Sequence, residues 1–237
     1  MSNRIIAIDG PSASGKSTVA RRVAAKLGWL YVDSGALYRG VTWKALRDGV
    51  DTRAAAAMAS LLRGFPIRFS VSAGSVVFTI GGMEPGLELR SETLNRQVSH
   101  AAAMPDVRNQ VNVWLRGMTT LGDLVVEGRD IGTAVFPAAS FKFYLDASSE
   151  ERARRRYVEI AERKDGVSKK DISESLRNRD TIDSSRQKDP LRAAADAVVI
   201  DSTGMSVDDV VAFVLDRVGT GACDAQTSTC RNCGPAG

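Results

Sequence analysis

The chain opens on a short apolar run, Arg4–Asp9 (RIIAID), which stops against a stretch rich in glycine and serine. An apolar run of this length, bounded by turn residues, predicts a buried strand. From Lys16 the period changes: Val19, Val23 and Leu27 share one face, with Ala20 and Ala24 beside them. That is an amphipathic helix, and Gly28 stands where it would end. Trp29–Val32 predicts a second strand, and DSGALYR opens another helical stretch. Strand, loop, helix and strand at this spacing predict a βαβ unit and a parallel sheet.

Between Gly64 and Gly86 the pattern is different. Ile67, Phe69 and Val71 alternate with polar residues, SAGS is a turn, and VVFTI follows before a Gly-Gly pair. This predicts an antiparallel hairpin inserted into an α/β chain. Helical patterns return over Ser91–Ala103. A further helix starts at Pro105, a favoured first helical position, with Val107, Val111, Leu115 and Met118 on one face. LVVE (Leu124–Glu127), FKFYL (Phe141–Leu145) and AVVI (Ala197–Ile200) predict strands. Ser148-Ser149-Glu150-Glu151 fits a capping box opening a very basic helix. Another helix is predicted over Lys169–Ser185, and Val207, Val210, Val211, Val214 and Val218 make a last amphipathic one.

Composition narrows the chemistry. The 237 residues are 43% hydrophobic, which suits one globular core with small insertions. A net charge of +4 is small and spread along the chain, fitting anionic small molecules better than nucleic acid. No run approaches the ~18 apolar residues of a membrane span, and no signal sequence is read, so a cytoplasmic location with no membrane partner is expected. His100 is the single histidine, which argues against a histidine triad or a histidine-rich metal site and is read as structural. All three cysteines, Cys223, Cys230 and Cys233, fall after Gly219, in a small, polar stretch expected to be a mobile, dispensable tail. Its C-x-x-C leaves metal or redox chemistry as the alternative.

The stretch that ends the first strand, Gly10-Pro11-Ser12-Ala13-Ser14-Gly15-Lys16-Ser17-Thr18, matches G-x-x-x-x-G-K-[ST] in full. Glycines let the backbone wrap closely and aim its N–H groups at phosphate oxygens. The following helix offers its positive end, Lys16 can reach the β- and γ-phosphates, and the Ser17 hydroxyl can ligate Mg²⁺. The loop supplies a donor site and leaves the acceptor open.

Two later stretches also lie at strand carboxyl ends, near the loop in an open parallel sheet. In Asp33-Ser34-Gly35-Ala36-Leu37-Tyr38-Arg39, Ser34 is a candidate helix cap and Arg39 a candidate second phosphate clamp, or a solvated arginine. Glu127-Gly128-Arg129-Asp130 puts an arginine and two acids where burial is costly unless they meet a ligand or each other. Downstream, Arg152, Arg154, Arg155 and Arg156 lie on one predicted helix. Arg177, Arg179 and Arg186 lie near Asp180 and Asp183, the two groups flanking a turn around Lys164–Gly166. That density suits a lid closing guanidinium groups onto a transferring phosphoryl group.

GPSASGKST, VDSGALYR, the hairpin insertion, SHAAAMPDVR, VEGRDIGTAVFP, FYLDASSEERARRR and RDTIDSSRQKDPL together resemble the bacterial cytidylate (CMP) kinases of the nucleoside monophosphate kinase group. The resemblance runs from about Ile5 to Val218. It implies an α/β fold: a P-loop parallel sheet core flanked by helices, with an inserted antiparallel hairpin in the NMP-binding subdomain and a helical lid. The kinase core would be residues 1–218, with the hairpin at 64–86 and the lid at about 152–187. It also implies transfer of the γ-phosphoryl group of ATP, with Mg²⁺, to CMP or dCMP by a monomeric enzyme.

By the same resemblance, Ser34, Arg39, Arg129 and Arg186 would hold the acceptor phosphate. Ser99, Arg108 and Asp130 would read the cytosine edge, Arg179 and Asp183 would meet the ribose, and Arg155 and Arg156 would lie near the ATP phosphates. The family motif often carries DGRD where this chain has Glu127, one methylene longer, and Ile182 and Ser184 stand where some relatives carry further arginines. Residue types alone leave UMP, dTMP or a shikimate-like acceptor open. A hydrolytic switch or nucleic-acid motor is the reading from another class, and no guanine-reading N-K-x-D motif supports it.

Overall fold

In the computed structural model, residues 3–161 and 168–227 are described. Strands β1 (Ile5–Asp9), β2 (Leu30–Asp33), β3 (Ile67–Ser72), β4 (Ser75–Ile80), β5 (Leu124–Gly128), β6 (Phe141–Asp146) and β7 (Val198–Asp201) form one sheet in the order β3-β4-β2-β5-β1-β6-β7. Among the described strands, β3 and β4 pair antiparallel and the other neighbours pair parallel. The helices are α1 (Lys16–Leu27), α2 (Ser34–Arg47), α3 (Ala55–Leu62), α4 (Glu92–Ala103), α5 (Pro105–Gly117), α6 (Ser149–Ala161), α7 (Lys169–Ser185) and α8 (Val207–Thr227).

The central strands are apolar on both faces because both are covered, as parallel strands require. Ile6, Ile8 and Val125 pack with Val19 and Val23 of α1 and Val210, Val211 and Val214 of α8. Ala7, Leu124 and Val126 point the other way, into a core with Leu37 and Val41 of α2, Val98 of α4, and Val107 and Val111 of α5. Residue-by-residue alternation along β1 and β5 thus feeds two cores, and the only charges on these strands fall at their carboxyl ends.

Those ends are in register. Asp9 faces Gly128 across β1–β5, and Asp33 faces Glu127 across β2–β5. The loops after β1, β2 and β5 therefore leave adjacent strands at one edge of the sheet.

The hairpin turns through Ala73 and Gly74, at φ 46° and 71°, a pair that matches strand twist in a two-residue turn. It is not a detached flap. Tyr31 pairs with Ser75, and the Tyr31 N–H donates to the Gly74 carbonyl at 2.9 Å, which joins the hairpin to the edge of the sheet. Phe78 and Ile80 close over Gly40 of α2, where a Cβ would meet Phe78 at 2.9 Å.

Three local readings change. Asp33, not Ser34, caps α2, its Oδ1 accepting from the Ala36 N–H at 2.9 Å. The capping box at Ser148 is half made. Ser148 Oγ accepts from the Glu151 N–H at 3.2 Å, but the Glu151 carboxylate takes Arg154 and Arg155 instead of returning to Ser148. Helix α3, in the alanine-rich stretch after Thr52, was not anticipated, because alanine runs carry little periodic signal. Helix α8 continues to Thr227, past Gly219 and through Cys223; Cys230, Cys233 and the turn at Lys164–Gly166 lie outside the described residues. No described helix is long and apolar enough to cross a membrane.

Candidate active site

A cleft of about 1070 Å³ opens at the carboxyl edge of the sheet. It is lined by Ser12 to Thr18 of the phosphate loop and by Ser34, Arg39, Ser99, Arg108, Arg129, Asp130, Arg155, Arg156, Arg179, Asp183 and Arg186. Gly10 and Pro11, expected in the loop's phosphate contacts, are not among the lining residues. His100 lines it as well, a position that its reading as structural did not anticipate.

The loop owes its shape to close approach. A Cβ on Gly10, at φ 152°, would lie 2.0 Å from the Leu145 carbonyl oxygen, so only glycine lets β1 turn out beneath β6. Lys16 is buried and donates to the Pro11 carbonyl at 2.8 Å. Burial, then the neighbouring Arg129, pulls its pKa down to about 7. Ser14 Oγ is buried with no hydrogen-bond partner among the described residues.

Arg129 connects the loop to the rest of the site. It donates to the Gly10 carbonyl at 2.9 Å, to Ser12 Oγ at 2.7 Å and to Asp183 Oδ2 at 2.8 Å. Burial alone would raise Asp183; Arg129 and Arg179 outweigh it and hold the carboxyl below the usual range. Arg179 is pulled down to about 10 by burial and by Arg129. The Nε atoms of Arg179 and Arg39 are buried without a partner among the described residues. Orphaned buried donors are rare, and two guanidinium groups with one each suit an anion. Arg39 is held by Asp33, Nη2 to Oδ2 at 2.8 Å.

Elsewhere along the cleft, Arg108 is fully buried and pairs with Asp130; Arg186 reaches the same carboxylate at 3.3 Å. Burial raises the Asp130 pKa despite both arginines. Asp130 leads into a single π-helical turn, Ile131–Val135, a device frequent at functional sites. Asp9 pins that turn, accepting from the Ile131 and Gly132 N–H groups at 2.8 and 2.7 Å, and burial pushes its pKa up to about 7. Gly128 is required for clearance: a Cβ there would stand 2.6 Å from Ser34 Oγ.

Glu127 ends β5 beneath the loop. Its Oε1 accepts from Ser17 Oγ at 2.6 Å and from the Tyr31 hydroxyl at 3.2 Å. A hydroxyl and one carboxylate are hard oxygen donors of the kind Mg²⁺ shares with substrate phosphates, so the residues fit that ion. The described residues contain no cluster of three or more His, Cys, Asp or Glu side chains that would form an all-protein cage.

The arginine-rich helices separate by facing. Arg152 of α6 reaches the Ser12 carbonyl at 3.2 Å and pairs with Asp180 of α7, whose Oδ1 accepts from the Ser12 N–H at 3.2 Å. Arg155 donates to the Ser14 carbonyl at 3.1 Å and to the Ser202 carbonyl at 2.7 Å. Arg156 lines the cleft and pairs with Glu159; Arg154 lines it too, bonded to Glu151 and largely exposed, whereas Arg177 bonds Ser173 and does not line it. Asp9, Tyr31, Asp33 and Asp189 carry contacts to the site that residue patterns did not assign, and Arg152 and Asp180, read only as part of the arginine-rich region, meet the loop at Ser12.

A phosphate loop on a parallel sheet, facing a second set of buried arginines across one cleft, defines a P-loop phosphotransferase. The cytidylate kinase family model matches residues 6–220. The cytidylate kinase of Geobacillus kaustophilus is 42% identical over 219 residues, covering 92% of this chain and 98% of that protein. That of Alkaliphilus metalliredigens is 41% identical over 215 residues, covering 91% and 96%. A solved structure from Thermus thermophilus shares the fold at TM-score 0.50 and 17% identity, over 93% of this chain and 98% of that one. The chain belongs to the cytidylate kinase family.

Proposed function

We propose that the protein transfers the γ-phosphoryl group of ATP to CMP or dCMP, giving CDP or dCDP and ADP. The observation that carries this reading is the position of Arg129, bonded at once to the phosphate loop and to Asp183 of the acceptor side. A guanidinium there lies between the two phosphates that must meet.

In the reaction an oxygen of the acceptor phosphate bonds to the γ-phosphorus, and the bond from that phosphorus to the β–γ bridging oxygen breaks, its electrons leaving with ADP. The attacking oxygen is already ionised near neutral pH, so no strong base is needed, and catalysis is positioning and charge stabilisation. The loop and Lys16 hold the donor phosphates, with Arg155 and Arg156 beside them. Ser34, Arg39, Arg129 and Arg186 hold the acceptor phosphate; Arg179 and Asp183 meet the ribose. Ser99, Arg108 and Asp130 read the base: a carboxylate accepts from the cytosine amino group, while Ser and Arg donate to its acceptors. Ser17 and Glu127 would hold Mg²⁺, which when bound neutralises charge on the β- and γ-oxygens.

In the same reading residues 1–218 are the kinase core. The hairpin at 64–86 belongs to the acceptor-binding subdomain, residues 152–187 are a lid that excludes water, and 219–237 are a dispensable tail. The enzyme acts as a cytoplasmic monomer; light scattering is the test of the monomer.

The deciding experiment is initial-rate phosphotransfer from ATP to CMP, dCMP, UMP, AMP and dTMP side by side. CMP and dCMP are expected to lead; a preference for UMP or dTMP would overturn the acceptor assignment. ATP turnover without an acceptor, or stimulation by nucleic acid, would overturn the transfer itself.

A further inference from the structure

Arg108 has two carboxylate partners, and the second comes from a residue with no role in the mechanism above. Its Nη2 pairs with Asp130, its Nε donates to Asp189 Oδ2 at 3.1 Å, and its Nη1 donates to the Ala102 carbonyl at 3.2 Å. Asp189 also serves Arg186, whose Nε donates to its carbonyl oxygen at 2.6 Å. Its φ of 50° is left-handed, a region Asp tolerates better than most residues. With that backbone, one residue presents its carboxylate to one arginine and its carbonyl to the other. Asp189 is not among the residues that line the cleft, so it acts from behind them.

The need for a second anion follows from Asp130. Both of its oxygens are committed, Oδ2 to Arg108 and Oδ1 to Arg186. Either oxygen can accept a second hydrogen bond, but shifting toward an acceptor base weakens its bond to a buried guanidinium, and a buried charge that loses its partner is strongly destabilised. The side chain of Arg108 is 0% exposed, so solvent cannot compensate.

We propose that Asp189 is a positioning residue for recognition of the acceptor base: it is the standing counter-charge to Arg108 that frees Asp130 to turn to the base. This rests on CMP as the acceptor. The same carbonyl bond to Arg186 sets the reach of the phosphate clamp, so base and phosphate contacts are held from one point.

The test is steady-state kinetics of Asp189→Asn and Asp189→Gly with CMP, UMP and ATP, beside wild type. Both substitutions tolerate the left-handed backbone and keep the carbonyl for Arg186, and both remove the charge. The KM for CMP is expected to rise by about tenfold, the scale of a lost charged hydrogen bond. The KM for ATP should stay within about twofold, and the preference for CMP over UMP should fall. Variants with wild-type KM for CMP, or with ATP and CMP weakened in parallel, would overturn the role of Asp189. If Asp189→Asn does not fold, Asp189→Gly decides; if neither folds, Asp189 holds the fold and the proposal fails. Wild type inactive on CMP in the same assay would overturn the acceptor assignment, a result distinct from an active wild type with unmoved variants.

Discussion

Arg129 donates through Nη2 to the hydroxyl of Ser12 at 2.7 Å, so a guanidinium of the proposed acceptor clamp rests on the phosphate loop. The other polar atoms of Ser12 are also taken: its N–H by Asp180 of α7 and its carbonyl by Arg152 of α6. Three elements meet on one small residue. Ser12→Ala strands a buried donor of Arg129, a cost of about 1–3 kcal/mol. A fall in kcat of about tenfold or more is expected, with a smaller change in the KM for ATP. An unchanged kcat would show that Arg129 does not depend on the loop for its position.

Lys16 yields opposite effects on activity and stability. Its pKa falls from 10.5 unfolded to about 7 folded, chiefly through burial and then through Arg129. A depressed folded pKa means its contribution is fully present above the unfolded value and is lost as pH falls toward about 7. Lys16→Met is therefore expected to abolish transfer and yet unfold at higher denaturant than wild type near neutral pH, the gap closing above about pH 10. Lys16→Ala should also abolish transfer with the fold intact. Urea melts across that range and a transfer assay check both; near-full activity in either variant would sink the mechanism.

Glu127 and Tyr31 set a metal test. The Tyr31 hydroxyl and Ser17 converge on Glu127 Oε1. Tyr31→Phe removes one of the two holds on this carboxylate, so ADP binding should gain less from added Mg²⁺, by a few-fold in calorimetry, the scale of one hydrogen bond. Glu127→Asp draws the carboxylate back from Tyr31, and in that background Tyr31→Phe should change nothing further. Equal effects in both backgrounds would mean that Tyr31 acts on packing alone.

Removing Arg108 should cost more than any other single change at the acceptor end. Arg108→Met leaves the Asp130 and Asp189 carboxylates facing each other without their shared cation. Breaking a buried pair costs about 3–5 kcal/mol, and each kcal/mol lowers Tm by about 2–4 °C in a domain of this size. Burial already raises Asp130. Losing Arg108 raises it further, so the deficit against wild type should shrink as pH falls and the acids take up protons. A deficit independent of pH would trace the loss to packing.

Much of the donor half was legible along the chain. GPSASGKST follows an apolar strand and opens a helix, and the loop forms where that spacing predicts. The strands ending in Asp9, Asp33 and Glu127 were also readable, because buried parallel strands are short apolar runs that end in charge. Local competition was not. Asp33 and Ser34 both suit a helix start, and Asp33 caps α2 because its second oxygen also binds Arg39. Glu151 suits a capping box, yet two arginines one turn ahead outcompete the Ser148 N–H for its carboxylate.

The phosphate loop, the βαβ opening and the periodic helices are encoded locally, because each depends on residues within a few positions of one another. Which arginines serve the site was decided only by the tertiary structure. Arg152, Arg154, Arg155 and Arg156 look equivalent in the chain, but Arg152 and Arg155 fall on the loop backbone while Arg154 stays largely exposed at the cleft, paired with Glu151. Asp189 lies in the RDTIDSSRQKDPL stretch, but nothing there points to its partner until folding brings it to Arg108, 81 residues away in the chain. Pairings of buried charges at that separation are set by the segment after α7 docking onto the start of α5, and no local pattern encodes them.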